Sequence, residues 1–290
     1  MLGQLNAETT GVQSRLLLLA AAVLWSTAGA AMKLCQLSGG QIAGGRALVA
    51  ALFLFLAVRG ARARPSWPVL ATGAAYAATG VCFAVANKLT TAANAIFIQS
   101  TAPLWVALLS PRLLGERASR AALWTIPVYA AGLGCFFLDE LSPGQLLGNA
   151  VALGAGLAFA LCTLGLRKLR AGSTGALVYG NLLAALVTAP LWLSGPAPAP
   201  MDLLALLYLG VFQLGLSYLC FARGVAHTPA LEASLLVLLE PVLNPIWTFF
   251  IAGERPGPWA IGGGTVVLSA TLWRTLAPLW SRRRPDVPVS

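Results

Sequence analysis

Long runs without a charged or strongly polar side chain recur along this chain and constrain its fold more than any other feature. Residues 16–23 and 47–58 are apolar on every face of any helix or strand that they could form. A helix that crosses a bilayer needs roughly 20 mostly apolar residues, so 290 residues hold about ten such stretches joined by short loops. Hydrophobic residues make up 58% of the chain and charged residues 10%, which excludes a soluble globular domain. Transmembrane strands would alternate polar and apolar residues, so we predict an all-α integral membrane protein.

The apolar runs are separated by glycine, proline and charged residues, and together they predict ten transmembrane helices. These lie near residues 16–36, 40–58, 68–87, 92–110, 119–138, 144–166, 174–194, 201–222, 230–252 and 257–278. The first run ends without a small-x-small cleavage site, so we interpret it as a retained helix and not as a signal peptide.

Loops on alternate sides of the predicted helices differ sharply in their content of Lys and Arg. One side, which includes the amino terminus, holds Arg15, Arg59, Arg62, Arg64, Arg112, Arg117, Arg120, Arg167, Lys168, Arg170, Arg223, Arg274, Arg282, Arg283 and Arg284. The other side holds only Lys33, Arg46, Lys88 and Arg255. Because cytoplasmic loops carry the excess of Lys and Arg, both termini are predicted to be cytoplasmic. The net charge of +10 is thereby explained without a nucleic-acid partner.

Two parts of the chain match each other at an offset of 138 residues. Pro103 and the Gly-Glu-Arg triplet at 115–117 return as Pro241 and the same triplet at 253–255. The match aligns the predicted fourth and fifth helices with the ninth and tenth. Because each unit then contains five helices, an odd number, the second unit must enter the membrane from the opposite side.

We therefore predict two inverted five-helix repeats, residues 1–138 and 139–290, the second with a short basic cytoplasmic tail. Inverted repeats place a solute site between the halves near the bilayer midplane, and they work by alternating access as one bundle rocks against the other. The chain contains no Gly-Lys dipeptide, so the phosphate-cradling Gly-x-x-x-x-Gly-Lys motif is impossible. The prediction is a transporter of a small organic solute that does not use ATP.

Several short segments carry a resemblance to a known family. They are Trp25-Ser26, Arg46, residues 90–93 (Thr-Thr-Ala-Ala), and the segments 103–116 and 240–254. Together they resemble the drug/metabolite transporter superfamily in its ten-helix EamA-type branch, over nearly the whole chain. The resemblance implies ten helices around a central cavity, in a bacterial inner membrane, with both termini inside.

Among the members of that branch, the chain looks most like the bacterial exporters of aromatic amino acids and related metabolites. This resemblance implies export of amino acids, including aromatic ones, with a small-molecule substrate and the lipid bilayer as the only partners. We predict no cofactor, no metal ion and no nucleic-acid partner, and we expect a monomeric protein.

Glu240 is the sharpest candidate for a functional residue, because it lies halfway along the predicted ninth helix. A carboxylate there costs roughly 2.5–3.5 kcal/mol even on translocon scales, so it should face the bundle interior. One interpretation is a carboxylate that couples transport to protons or binds a substrate amine. The other is a structural partner for backbone groups opened by Pro241 and Pro245, with Asn244 one turn away on the same face.

The predicted fourth helix contains a polar stretch, Gln99, Ser100 and Thr101, directly before Pro103. The proline ring frees the Gln99 carbonyl from its helical hydrogen bond. Such a break is tolerated at membrane depth only against protein or a watery cavity. We predict that this stretch lines a cavity wall, with hydrogen bonding between helices as the alternative, and that Pro103 and Pro241 are hinges.

Aromatic and polar residues deep in the other spans complete the predicted substrate-binding site, an amphipathic cavity suited to a flat or apolar solute. They are Trp25, Tyr76, Phe83, Phe97, Phe159 and Tyr218, with Ser26, Thr79, Thr163 and Gln213 at similar depth. Packing in the core or against lipid is the alternative for each of them. Arg46 lies about two turns inside its helix, and we expect it to snorkel to the outer surface as a structural anchor, with an anion site as the alternative.

Catalytic and metal-binding patterns are absent from the sequence. His227 is the only histidine, no Gly-x-Ser-x-Gly motif occurs, and the five cysteines lack metal-ligand spacing. We therefore predict a transporter and not an enzyme. The alternative is a membrane-embedded enzyme acting on a lipid or small molecule, which would have to rely on Glu240 with hydroxyl and amide groups. A scaffold role is disfavoured because the loops are short.

Overall fold

The computed structural model describes residues 2–33, 35–62, 64–89, 92–138, 146–170, 173–252 and 258–281. Helices are the only regular secondary structure in these ranges, which confirms the all-α prediction for them. They are α1 Leu2–Ser26, α2 Ala28–Lys33, α3 Gly39–Ala57, α4 Trp67–Leu89, α5 Ala92–Gln99, α6 Ala102–Leu113, α7 Arg120–Leu138, α8 Leu146–Leu169, α9 Ser173–Val187, α10 Ala189–Leu193, α11 Pro200–Tyr208, α12 Ser217–His227, α13 Ala230–Leu236, α14 Leu239–Ala252 and α15 Pro258–Ser281. A 3₁₀ turn occupies Arg59–Arg62, and a π-helical segment, Leu209–Leu216, joins α11 to α12.

Helical segments occupy all ten predicted intervals, but four intervals are interrupted. α1 and α2 part at Thr27, α5 and α6 at residues 100–101, α9 and α10 at Thr188, and α13 and α14 at residues 237–238. The predicted break in the fourth interval is therefore present, and the ninth interval breaks in a corresponding place.

Proline accounts for three of these interruptions. Pro103, Pro190 and Pro241 each lie a few residues after a break. Proline lacks the N–H that would bond the carbonyl four residues earlier, and its ring displaces that carbonyl. The fourth break needs another cause: the Thr27 hydroxyl donates to the Leu24 carbonyl at 2.7 Å, a local bond that competes with the helical ladder.

Two predicted helix boundaries are wrong by more than a few residues. The first helix was expected to begin near residue 16 but begins at Leu2, and the eighth was expected to end near residue 222 but ends at His227. Hydropathy marks the part of a helix that lies in hydrocarbon, whereas an existing helix extends into polar sequence at the small cost of one further residue per hydrogen bond.

Four continuous helical stretches in the described residues are long and apolar enough to cross a membrane. They are Gly39–Ala57, Trp67–Ala86, Leu146–Leu169 and Pro200–His227, and shorter apolar helices occupy Gly11–Ser26, Ser173–Val187 and Ile261–Trp273. The outer surface is apolar as well: Leu52, Trp124 and Phe250 are 58%, 76% and 73% exposed. A surface of this kind is suited to lipid, and the chain is a multi-pass membrane protein.

The helices of the two predicted halves pack against each other in an exchanged pattern. α1 packs on α12 and α14, while α8 packs on α4, α5 and α6. Likewise α3 packs on the π-helical segment, whereas α9 packs on α4. α3 with α9, and α7 with α15, are packed pairs that join equivalent intervals of the two halves.

Glycines let several of these helices approach closely. A Cβ atom added to Gly180 in α9 would lie 2.6 Å from the Gly73 carbonyl oxygen in α4. Gly44 in α3 packs directly against the ring of Trp192, and Gly40, four residues earlier, packs against Leu191. Small residues at this four-residue spacing let helices approach closely. Small residues therefore fix the distances between the helices that surround the centre.

The molecule has two ends that are recognisable from their side-chain contacts. At the first, which we call the Glu116 end, the middle of α1 and the ends of α6, α8 and α12 meet the start of α13. At the second, the Asp202 end, the α2–α3 loop meets the α10–α11 loop: the Gln36 N–H donates to Asp202 Oδ1 at 2.8 Å. The Gln41 side chain donates to the Pro196 carbonyl at 2.8 Å.

Candidate functional site

A cavity of about 360 Å³ lies between helices of both predicted halves. Its lining consists of Trp25, Ala28, Met32, Gly39, Ile42, Ala43, Arg46, Thr79, Gly80, Phe83, Ala84, Ile96, Gln99, Phe159, Gln213, Leu214, Tyr218 and Glu240. Met32 and Gly39 flank the α2–α3 loop, so the cavity reaches toward the Asp202 end. A smaller pocket of about 30 Å³ adjoins it at the breaks before α6 and α14.

One wall of the cavity is a cluster of aromatic rings. The Trp25 ring lies 4.7 Å from that of Tyr218 and 5.8 Å, edge to face, from that of Phe159, measured between centroids. Behind them, the Phe221 ring stacks on Phe159 at 5.6 Å, and the Tyr76 ring meets Tyr218 edge-on at 4.5 Å. Rings packed in this way hold one another in place, so the wall is a preformed surface for an apolar or flat solute group.

The cavity also contains two groups that carry opposite charges. Arg46 is only 7% exposed, and its Nη1 donates to Gln213 Oε1 at 3.1 Å. Glu240, at the second residue of α14, is partly buried and lines both the cavity and the smaller pocket. Within the part of the chain that the structure describes, neither side chain makes an ion pair within 4.0 Å.

Two polar atoms near the lining are buried without a hydrogen-bond partner. They are the indole nitrogen of Trp25, a donor, and Oε1 of Gln99, an acceptor. Most buried polar groups in native proteins are hydrogen-bonded. Unpaired donors and acceptors in residues that line one cavity are therefore a sign of a polar ligand.

Most of the residues predicted for the substrate site are brought together. Trp25, Thr79, Phe83, Gln99, Phe159, Gln213, Tyr218 and Glu240 line the cavity, and Ser100, Pro103 and Pro241 line the adjoining pocket. The side chains of Phe97 and Asn244 lie outside the described residues, as does the second Gly-Glu-Arg triplet at 253–255.

Three predicted residues, Ser26, Tyr76 and Thr163, lie behind the lining in this structure. The Ser26 hydroxyl donates to the Val23 carbonyl at 2.7 Å and accepts from Trp247 Nε1 at 2.8 Å. The Tyr76 hydroxyl donates to Asn181 Oδ1 at 3.0 Å. The Thr163 hydroxyl is fully buried and bonds within α8. In this structure they make contacts inside the helix bundle, which is the packing alternative that the sequence left open for them.

Arg46 is the residue that sequence reasoning misplaced. It was expected to snorkel to the surface, yet its guanidinium is buried in the cavity beside Gln213. Gln213 lies in the π-helical segment, which no sequence pattern predicted. π-Helical turns recur at functional sites because they rotate side chains relative to a regular helix.

The Glu116 end is closed by charged contacts. Gly115 follows the end of α6 with φ +70°, a left-handed conformation that glycine adopts without strain, and turns the chain toward Glu116. The Glu116 carboxylate then accepts from Arg167 Nε at 2.7 Å and from the Ala230 N–H at 3.1 Å. Beside it, Arg15 Nε donates to the Glu232 carboxylate at 2.7 Å.

Between the cavity and these charged contacts lies a packed apolar layer. Leu18, Leu164 and Val225 are fully buried or nearly so, and they belong to one continuous core cluster. Leu18 packs against Gly224, where an added Cβ would lie 2.7 Å from its Cγ. The structure therefore holds a cavity that reaches toward one end and is blocked from the other.

Comparison with known proteins identifies the fold and the family. A solved crystal structure superposes on this chain with a TM-score of 0.77 at 19% identity, covering 93% of this chain and 98% of the other. The uncharacterized transporter YwfM of Bacillus subtilis is 27% identical over 279 residues, which cover 91% of this chain and 94% of the relative. The pseudopaline exporter CntI of Pseudomonas aeruginosa is 28% identical over 242 residues, covering 78% and 82%.

The family model of the EamA-like transporters matches the chain twice, over residues 14–140 and residues 143–275. These two segments include most of the described helices and all of the residues that line the cavity. The chain belongs to the EamA-like transporter family.

Proposed function

We propose that this protein exports small amphipathic organic metabolites, amino acids including aromatic ones, by alternating access without ATP. The observation that carries the proposal is the cavity itself. Its volume of about 360 Å³ falls in the range of roughly 300–1,000 Å³ typical of small-molecule sites. The cavity combines an aromatic wall with a guanidinium and a carboxylate. It is therefore suited to a solute that has an apolar side chain, one negative group and one positive group.

The direction of transport is part of the proposal. The charge asymmetry of the loops assigns the Glu116 end to the cytoplasm and the Asp202 end to the outside of a bacterial inner membrane. On this assignment the cavity reaches toward the outside in the present conformation, and the packed apolar layer separates it from the cytoplasm. The relative CntI is named an exporter, which supports the same direction for this chain.

The mechanism that we propose follows from two inverted repeats, residues 1–138 and 139–290. The exchanged packing, α1 with α12 and α8 with α4, is the pattern expected when two halves are related by an axis in the membrane plane. Rocking one half against the other would open the Glu116 end and close the Asp202 end around the same cavity. Pro103 and Pro241, which follow the breaks before α6 and α14, are the proposed hinges.

Counterflow into liposomes tests the proposal. Purified protein is reconstituted with a high internal concentration of one unlabelled amino acid, and entry of the same labelled compound is followed without ATP, at two pH values. We expect transient accumulation with phenylalanine, tyrosine or tryptophan, and none in protein-free liposomes. A screen in which no aromatic and no aliphatic amino acid accumulates would refute the proposed substrate class.

A further inference from the structure

Arg46 is a buried cation with too few partners. A guanidinium carries five N–H donors, and the one hydrogen bond found for Arg46 goes to the neutral Gln213 amide at 3.1 Å. Among the described residues no carboxylate lies within ion-pair distance of it. A buried charge without a counter-charge is costly, so an anion that enters the cavity would be favoured next to Arg46.

Glu240 and Gln99 form the opposite group of the same cavity. Both line the larger cavity and also the smaller pocket, which contains neither Arg46 nor Gln213 in its lining. Both present oxygen atoms, the Glu240 carboxylate and the unpaired Gln99 Oε1, with no hydrogen-bond donor from the described residues. Acceptors without donors are satisfied by a cationic N–H group, such as an ammonium.

Arg46 and Glu240 do not form an ion pair with each other. If Arg46 and Glu240 were paired with each other, the cavity would need no ionic solute. They line one cavity yet make no ion pair within 4.0 Å. One guanidinium also suits a single carboxylate better than a phosphate, which would carry about two negative charges at neutral pH.

We propose that the cavity binds its solute as a zwitterion in one orientation, with the α-carboxylate on Arg46 and the α-ammonium at Glu240 and Gln99. The solute side chain then lies against the rings of Trp25, Phe159 and Tyr218. This inference rests on the proposed function and adds to it the receptor of each charge. Gln213 is the positioning residue, because its amide oxygen holds the guanidinium in the cavity.

The test compares three inhibitors of labelled phenylalanine counterflow: phenylalanine, phenylalaninamide, which lacks the carboxylate, and 3-phenylpropanoate, which lacks the ammonium. For the wild-type chain, phenylalanine should inhibit about 10–100-fold more strongly than either analogue, because a charged hydrogen-bonded contact contributes roughly 1.5–3 kcal/mol. Arg46→Gln should remove the preference over the amide and keep the preference over 3-phenylpropanoate. Glu240→Gln should do the reverse.

Arg117→Gln is the control, since it removes one positive charge from an exposed side chain outside the cavity and should leave the order of inhibitors unchanged. If Arg46→Gln does not give a folded protein, Arg46→Lys keeps the charge but loses the planar fork, and its preference over the amide should shrink by a smaller factor. Glu240→Gln independently tests the proposed contact with the solute ammonium.

The outcomes separate the two claims. A wild-type protein that transports phenylalanine while Arg46→Gln and Glu240→Gln keep the wild-type order of inhibitors would overturn this inference alone. So would exchanged phenotypes, with Arg46→Gln insensitive to the missing ammonium. A wild-type protein that transports no amino acid overturns the proposed function and the inference together.

Discussion

Glu240 occupies the second position of α14, directly after a helix break and in the wall of the cavity. A carboxylate in this place costs the fold several kcal/mol unless a partner or solvent compensates it. No side chain of the described residues does so. At the scale of single residues, the site is therefore defined by polar groups that are placed at a cost and left for a ligand.

Replacing Glu240 by Gln keeps the shape of the side chain and removes its charge. We expect the rate of amino acid counterflow at low substrate concentration to fall about 10-fold or more, because one charged contact with the solute is lost. The thermal midpoint should stay the same or rise, because the charge that is removed has no partner among the described residues. Counterflow and thermal unfolding in detergent are the measurements.

Asp202→Asn is the matched control for this change. Asp202 accepts the N–H groups of Gln36 and Ala199 at 2.8 and 3.0 Å, outside the cavity. Because Asn has one acceptor oxygen where Asp has two, the replacement should leave one of these N–H groups unpaired and lower stability slightly, while the apparent affinity for the solute stays the same. A transport defect equal to that of Glu240→Gln would argue that both carboxylates serve only the fold.

Trp25→Ala tests the aromatic wall. Ring pairs contribute about 0.5–1.5 kcal/mol beyond the area that they bury, so the apparent affinity for phenylalanine should weaken about 2- to 10-fold more than that for alanine. Trp124→Ala is the control, because that ring is 76% exposed on the outer surface. Equal losses for phenylalanine and alanine would show that the wall does not contact the solute side chain.

Isolated polar residues in apolar runs, such as Gln99 and Glu240, were predictable from the sequence because hydrocarbon tolerates them only for a reason. The position of the Arg46 guanidinium was not predictable, because a long side chain that starts two turns from a helix end can reach either the surface or the interior. In the folded chain the guanidinium lies in the interior and donates a hydrogen bond to Gln213, which lies 167 positions further along the chain. The burial of Arg46 is a property of tertiary packing that no local pattern carries.

At the scale of secondary-structure elements, the main feature is the set of interrupted helices. The breaks between α5 and α6 and between α13 and α14 bring Gln99 and Glu240 to the same pocket. The backbone of the first break packs on α8: a Cβ added to Gly156 would lie 3.1 Å from the Gln99 carbonyl oxygen and 3.2 Å from Thr101 Oγ1. α8 therefore supports the broken segment through a residue without a side chain.

Gly156→Val should push the broken segment away from α8. Overpacking of this kind costs typically 1–3 kcal/mol, so we expect a lower unfolding temperature together with a weaker apparent affinity for the solute. Gly154→Val is the matched control on the same helix, because nothing lies within 4 Å of a Cβ added there. Both variants are compared by thermal unfolding and counterflow. If the Gly154→Val protein were as impaired as Gly156→Val, the loss would come from the helix propensity of valine and not from its contact with the broken segment.

The proline-based breaks could be predicted, because a missing N–H acts locally. The break at Thr27 and the π-helical segment at Leu209–Leu216 could not, since neither contains a proline and hydroxyl groups bond to the preceding turn in unbroken helices as well. Tyr208 donates to Thr27 Oγ1 at 2.9 Å from a distant part of the chain. Such contacts exist only after the helices have assembled.

On the scale of the whole molecule, closure of one end is the main feature. Glu116, from the repeated Gly-Glu-Arg motif, joins the end of α6 to Arg167 of α8 and to the start of α13. These contacts link both predicted halves at the end that is closed. We therefore expect them to stabilise this conformation relative to one in which the Glu116 end is open.

Arg167→Gln should shift the population toward the conformation that opens the Glu116 end. The readout is maleimide labelling of Leu18→Cys, placed in the fully buried layer below that end, in a variant whose five native cysteines are replaced. Labelling in detergent should accelerate about 10-fold, which corresponds to a shift of roughly 1.4 kcal/mol. With Arg117→Gln, the exposed counterpart, it should not change. Unaltered labelling in Arg167→Gln would mean that the ion pair does not hold the end closed.

The central claim is that this chain moves a solute across the bilayer and leaves it chemically unchanged. The most direct test is to recover the label from the lumen of proteoliposomes after counterflow of phenylalanine, without ATP, and to identify the compound. We predict intact phenylalanine inside, at a transient concentration above that outside, and none in protein-free liposomes. Label that is chemically converted while none enters the lumen would contradict the claim and favour a membrane-embedded enzyme.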